Sequence, residues 1–214
     1  MRFVLISQHF APPRQRGGTF LFTFVAELAR RGHDVHVVTT DQSGRRGSWY
    51  QTLEEGVHIH WCPVPYSNAM GYVSRIRAFF AFVFRCCRYI RSLPPADLVY
   101  ATSTPLTVAL PGVYASRCWK VPMIFEVRDL WPEVPIAMGA LRSPVTIAAA
   151  RWLERFAYRN AAFVVARSPM MADGVVETRY PRERVRVVPN ACDFRRFDVP
   201  AEWGRSFRQE NQWL

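Results

Sequence analysis

Short apolar runs recur along this chain, and segments with helical periodicity separate them; this alternation constrains the fold more than any other feature. Residues 3–6, 35–38, 57–62, 97–101, 123–127, 163–166 and 185–188 read as strands. Residues 19–31, 74–91, 105–117, 145–160 and 169–177 read as helices, the first with Phe20, Phe24 and Leu28 on one face and Gly32 as its stop. A strand, a Gly-bearing loop, a helix and a second strand within about forty residues make a βαβ unit. Nearly continuous apolar strands demand cover on both faces of a parallel sheet. The expectation is an α/β protein, a Rossmann-like doubly wound domain with a mainly parallel sheet. The polar, Gly-rich stretch 42–56 is expected to be a mobile excursion. A chain of 214 residues is long enough to bury such a core without disulfide or metal staples.

In sheets of this kind ligands sit beyond the carboxyl ends of the strands. Polar and cationic residues gather there: His9 and the Arg14-Gln15-Arg16-Gly17-Gly18 loop, Arg128-Asp129, Arg167-Ser168, and Asn190 through Asp193. Gly17 and Gly18 open a helix, where backbone N–H groups and the helix dipole suit a phosphate. The spacing is not that of a dinucleotide-binding fingerprint or a P-loop. Arg128 and Asp129 can bind a phosphate and a sugar hydroxyl, or pair with each other. Glu126, inside its strand, reads as structural, and Trp131-Pro132 as a rigid turn that sets an aromatic face against a sugar or the core.

Lys and Arg total 28 against 17 Asp and Glu, for a net charge of +11, and Lys120 is the sole lysine. That balance favours anionic partners: phosphorylated metabolites, an anionic membrane or nucleic acid. No nucleic-acid motif is present. The five cysteines have no ligand spacing and read as reduced thiols of a cytoplasmic protein. The five histidines show no metal-binding pattern either. His58 and His60 share a strand face, His33 sits in a helix-to-strand turn, and only His9 stands at the mouth of the sheet. No apolar run approaches the roughly 20 residues of a membrane span.

The helix at 74–91 is unusual. Its apolar residues, Phe82 among them, spread over roughly 220° of the wheel, whereas one-sided packing needs little more than about 100°. Arg77, Arg85, Arg88 and Arg91 fill most of the rest. Such a helix suits an anionic lipid surface, with Arg77, Phe82, Arg85 and Arg88 as contacts; the competing reading packs it on both sides inside the fold.

The opening Phe3-Val-Leu-Ile-Ser-Gln-His-Phe-Ala-Pro-Pro, the Gly17-Gly18 loop, Glu27-Leu-Ala-Arg-Arg-Gly-His-Asp-Val and Val37-Val-Thr-Thr resemble the family-four retaining glycosyltransferases. So do Asp97-Leu-Val-Tyr-Ala-Thr-Ser-Thr-Pro and Phe125-Glu-Val-Arg-Asp-Leu-Trp-Pro-Glu, the latter resembling the bacterial subgroup that builds surface polysaccharides. Ser168-Pro169-Met170 and Pro189-Asn190-Ala191-Cys192-Asp193 follow the family pattern, with Met170 and Ala191 in place of its glycines.

The resemblance implies one half of a GT-B fold. Residues 1–193 would form the N-terminal, acceptor-side domain, and 194–214 an interdomain linker or the start of a second domain. The family's Glu-x7-Glu donor motif does not follow Asn190, so this chain alone is expected to be inactive. The implied reaction moves a hexosyl or N-acetylhexosaminyl group from a nucleotide sugar, without metal or cofactor. The implied acceptor is a polyprenyl-diphosphate-linked sugar at the inner face of the cell membrane. Arg128 and Asp129 would be catalytic; His9, Arg16, Gly17, Gly18, Ser168 and Asn190 would bind substrate or donor phosphate. The alternative is a non-catalytic binding module for anions or nucleic acid.

Overall fold

The computed structural model describes residues 1–12, 19–42, 47–67, 69–139, 141–191 and 198–213, the side chains at 19 and 72 excepted. Arg14, Arg16, Gly17, Gly18, Cys192 and Asp193, singled out above, lie outside them. The strands are β1 (Arg2–Ile6), β2 (Asp34–Thr40), β3 (Tyr50–Glu54), β4 (Val57–Cys62), β5 (Leu98–Thr102), β6 (Met123–Val127), β7 (Phe163–Ala166) and β8 (Val185–Val187). They form one sheet in the order β3-β4-β2-β1-β5-β6-β7-β8, parallel except for β3. The helices are α1 (Thr19–Arg30), α2 (Tyr72–Ile90), α3 (Ala109–Trp119), α4 (Glu133–Ala137), α5 (Pro144–Asn160), α6 (Pro169–Glu177) and α7 (Ala201–Glu210). The expected doubly wound α/β architecture is thus the observed one.

Helix placement follows from the handedness of the crossovers. From β1 to β2 the chain moves one way across the sheet, and α1 packs on the face that carries Phe3, Leu5, Val35 and Val37. The connections β4 to β5, β5 to β6, β6 to β7 and β7 to β8 all move the other way. Their helices α2, α3, α5 and α6 therefore share the opposite face, over Val4, Ile6, Phe125 and Val164. Gly32 ends α1 as expected: at φ +83° it lets His33 N donate to Leu28 O and Gly32 N to Ala29 O, which satisfies the last carbonyls.

The stretch 42–56 departs from its expected character, because it contains β3, an ordered antiparallel edge strand. Glu55 and Gly56 both take positive φ, 48° and 79°, the backbone of a two-residue hairpin turn. Gly56 suits the second of these positions, whereas Glu55 gives no such signal in the sequence.

Helix α2 corrects the reading of its lipid-facing residues. Ala78, Phe82, Cys86 and Ile90, one helical stripe, are buried in the core, Phe82 to 0% exposure. Burying a phenyl side chain is worth about 2–3 kcal/mol, so the sheet claims it. The opposite stripe of Val73, Arg77, Phe80, Phe84 and Arg88 is exposed. Arg85 donates to the Pro63 carbonyl at 2.8 Å, which ties it to the loop after β4. Trp131 likewise packs against the core.

A polar chain fastens α2 to the sheet. Arg2 Nε lies 2.6 Å from Asp34 Oδ2, and Asp34 Oδ1 accepts from His36 Nε2 at 3.0 Å. His36 Nδ1 must then accept, so His60 Nε2 donates to it at 2.9 Å, and Tyr89 OH of α2 donates to His60 Nδ1 at 3.0 Å. Burial first, then His36 and His58, hold His60 down at about 4, so it stays neutral at pH 7. Trp49 stacks on Tyr89 at 3.9 Å.

Helix α3 lies very close to the sheet at Gly112. A Cβ there would meet Ala101 Cβ at 2.8 Å and Met123 Sδ at 2.9 Å. Gly112→Ala is therefore expected to cost about 1–3 kcal/mol of stability through overpacking, read as a shifted urea midpoint with an unchanged slope. An unaltered midpoint would contradict this packing.

Candidate functional site

Strand order reverses between β1 and β5, and the crevice beyond their carboxyl ends is where such sheets bind ligands. His9 follows β1 there, Ser103-Thr104 follow β5, and Arg128-Asp129 follow β6. Gln8 O accepts from Thr40 Oγ1 at 2.5 Å and from Thr39 Oγ1 at 3.3 Å, which anchors the turn into His9 on the end of β2. Arg128 N donates to Ser103 Oγ at 3.0 Å, and Thr104 Oγ1 donates to Asp129 Oδ2 at 2.8 Å. The Arg128 and Asp129 side chains are exposed, so both can meet a ligand.

A cleft of about 350 Å³ opens beside His9 and Thr104, lined also by Gln42, Tyr66 and Ser67. The His9 ring packs against Tyr66 at 4.6 Å, and Gln42 Nε2 faces His9 Nδ1 at 3.3 Å. The amide N–H donates to Nδ1, so the neutral ring carries its proton on Nε2. Burial, and secondarily the Arg128 charge, hold His9 down at about 4. His9 is thus a neutral hydrogen-bonding group beside a fixed cation.

Below the rim, Arg167 Nη2 lies 2.6 Å from Glu126 Oε1, both side chains buried. The guanidinium sits 4.1 Å from the centre of the Phe20 ring in the first turn of α1, and its Nη1 donates to Asn190 Oδ1. Asn190 is thereby held at the rim. Ser168 serves as the N-cap of α6, its Oγ accepting from Met171 N at 3.2 Å. Ser168 and Asn190 therefore have structural partners on the β7–β8 side, while His9, Arg128 and Asp129 converge at the β1–β5–β6 side. Gln42, Tyr66 and Thr104 were missed. Each follows the carboxyl end of a strand, which was the available signal. Among the described residues, no group of three or more His, Cys, Asp or Glu side chains is placed to hold a metal. No helix there is long and apolar enough to cross a membrane.

The fold is a doubly wound α/β domain with a cleft at its topological switch point. The sequence profile of the glycosyl transferase 4-like domain matches residues 17–191, and the chain belongs to that family. No curated protein matches it in sequence. Its fold is similar to Anabaena HepE in complex with UDP and glucose, at 16% identity and a TM-score of 0.58, covering 97% of this chain and 49% of that one. It is also similar to a sucrose-phosphate synthase structure from Thermosynechococcus elongatus, at 12% identity and a TM-score of 0.61, with 98% of each chain covered. A third similar structure is an E. coli trehalose-6-phosphate protein bound with UDP-2-fluoro glucose, at 11% identity and a TM-score of 0.62, covering 96% of this chain and 53% of that one. The chain thus spans about half the length of the HepE structure. These likenesses show a GT-B-type N-terminal fold.

A second cavity, about 240 Å³, lies between α5 and α6 beneath the rim loop and is lined by Leu130, Glu133, Arg151, Glu154 and Glu177. Glu154 is 3% exposed. Burial, then the charge of Glu133, push its carboxyl up to about 7.

Two measurements check these environments. In an NMR titration, His9 should stay neutral to about pH 4, and Arg128→Ala should raise its midpoint without reaching the ordinary 6.5, since burial is the larger cause. Titration of the parent His9 near 6.5 would place the ring in solvent. For Glu154, the folded state keeps its proton until about pH 7, whereas the unfolded chain loses it near 4.5. Stability should therefore fall as pH rises through that window, by on the order of 3 kcal/mol. Glu154→Gln should flatten the loss, as read by urea unfolding between pH 4.5 and 8.

Proposed function

We propose that this chain is the N-terminal, acceptor-side domain, residues 1–193, of a retaining glycosyltransferase whose donor domain lies beyond it. The enzyme transfers a hexosyl or N-acetylhexosaminyl group from a nucleotide sugar to a polyprenyl-diphosphate-linked sugar, in bacterial surface-polysaccharide assembly. The observation that carries the reading is a switch-point cleft lined by His9 and Thr104, with the Arg128 charge acting on His9 and Asp129 bonded to Thr104, in a domain of this family. Residues 194–214 serve as the interdomain linker or the start of the second domain.

In this reading Arg128 stabilises the charge that grows on the leaving diphosphate. Asp129, oriented by Thr104, holds the acceptor hydroxyl or a donor-sugar hydroxyl, and neutral His9 donates from Nε2 to a sugar oxygen. Gly17, Gly18 and Arg16 add contacts to the donor phosphates, and Ser168 and Asn190 border the donor side. The reading invokes no covalent nucleophile, metal or cofactor, and no nucleic-acid partner. The exposed stripe of α2, with Arg77, Phe80, Phe84 and Arg88, brings the domain to the inner face of the cell membrane, where a lipid-linked acceptor resides.

The test compares this chain with the chain joined to its donor domain. The 214-residue chain alone should turn over no nucleotide sugar, and the joined protein should. Arg128→Ala in the joined protein should lower kcat by about 10²–10³-fold without lowering the melting temperature. A wild-type rate in the folded variant would remove Arg128 from the mechanism.

A further inference from the structure

The layer formed by α2, α3 and α5 has an uneven charge. The three helices carry eight arginines. Their single acid is Glu154, which is buried. On α2 and α3 the exposed Arg77, Arg88 and Arg117 have no carboxylate on their own helices, whereas Arg151 and Arg155 of α5 share a cavity with Glu133, Glu154 and Glu177. The layer also presents large apolar side chains: Phe84 is 71% exposed on α2 and Trp152 61% exposed on α5. Trp152 stacks on Phe156 one turn further along, at 5.4 Å. The α1 side is different, since its Arg30 and Arg31 both pair with the carboxylate of Glu27.

Between α3 and α5 the layer opens into a groove of about 390 Å³, lined by Leu110, Val113, Tyr114, Arg117, Cys118 and Phe156. Its walls are apolar and aromatic, with one cation at the side. Arg117 is oriented there: its Nη2 donates to Asn160 Oδ1 at 2.7 Å, and Asn160 Nδ2 donates to Phe156 O at 2.8 Å. A guanidinium has five N–H donors, and one is used by Asn160. The groove adjoins α2, because Arg91 and Cys87 lie close enough to Tyr114 to act on it electrostatically.

We propose that the α3–α5 groove is a subsite for an anionic phospholipid of the bilayer, its acyl chain between Tyr114 and Phe156 and its phosphate on Arg117. The membrane contact then spans three helices, with Phe84 and Trp152 as anchors on either side of the groove. This inference rests on the membrane reading of α2 and extends it to a lipid-binding site. Charge complementarity selects the occupant: Arg77, Arg88 and Arg117 are exposed on α2 and α3, which carry no acid, and such a surface repels a basic partner and attracts lipid phosphate. The exposed aromatics add a hydrophobic contribution that soluble phosphates cannot use.

The experiment has two arms, both on the purified chain. In the first, co-sedimentation with phosphatidylglycerol and phosphatidylcholine vesicles is measured for the parent and for Phe84→Ser, Trp152→Ser and Arg117→Gln. Binding should require phosphatidylglycerol, and each variant should weaken it, Arg117→Gln by about fivefold, with unchanged thermal melts. In the second, which needs no variant, iodoacetamide alkylation of Cys118 is followed by peptide mass spectrometry. Cys118 is exposed in the groove. Its rate should fall on phosphatidylglycerol vesicles, and should not change with phosphatidylcholine vesicles or glycerol phosphate.

If only Phe84→Ser weakens binding and Cys118 reacts at its free rate on the vesicle, the groove proposal is overturned while α2 docking stands. Failure of the parent to bind any vesicle overturns both. Protection of Cys118 by glycerol phosphate alone would make the groove a soluble-phosphate site and overturn the lipid assignment.

Discussion

The rim of this domain depends on the ion pair between Glu126 and Arg167, buried beneath it. Desolvating two such groups costs several kcal/mol per ion, so the pair persists only where additional contacts compensate. Here the Phe20 ring faces the guanidinium, Asn190 accepts from it, and the Tyr100 phenol lies beside the carboxylate. Burial and then the Glu126 charge keep that phenol protonated well above its usual range. Through these contacts the ends of β6 and β7 are joined to the first turn of α1 and to the segment after β8. Arg128 stands two residues past Glu126, and Ser168 stands directly after Arg167. Removing one partner of a buried pair typically costs about 3–5 kcal/mol, so all four rim segments share one electrostatic anchor.

The family's fold was legible because its constraints are local and repeated. Each parallel strand had to be a short apolar run, and each return had to be a helix. The runs at 3–6, 123–127 and 163–166 therefore marked β1, β6 and β7 almost to the residue. The rim was legible for a related reason: residues directly after a strand must stand at its carboxyl end. His9, Arg128 and Asp129 could be placed by chain order alone.

Contacts set by distant packing were not legible in the same way. The wide apolar arc of α2 showed that two surfaces compete for the helix, but not which side chains each would take. The sheet takes Ala78, Phe82, Cys86 and Ile90, and Phe80 and Phe84 remain outside. Tyr66 meets His9 because the loop after β4 folds back across the mouth, a path no periodicity encodes. The strand β3 was hidden by its composition, since an edge strand with one covered face can be polar on the other. Glu126 shows the limit from the opposite side: its place inside a strand announced a structural role, but its partner lies 41 positions further along the chain.

The two edges of the sheet also bear on how the domain behaves among copies of itself. An unpaired strand edge is a template for another chain, and long, flat, apolar edges invite aggregation. One edge here is β3, a strand of five residues, half polar, that closes the parallel array with an antiparallel hairpin. The other is β8, only three residues long, with the charged Arg186 at its centre. Neither edge offers a long apolar ladder for strand addition, although the strands between them are among the most apolar in the chain. The sheet is thereby protected against self-templating growth at both ends.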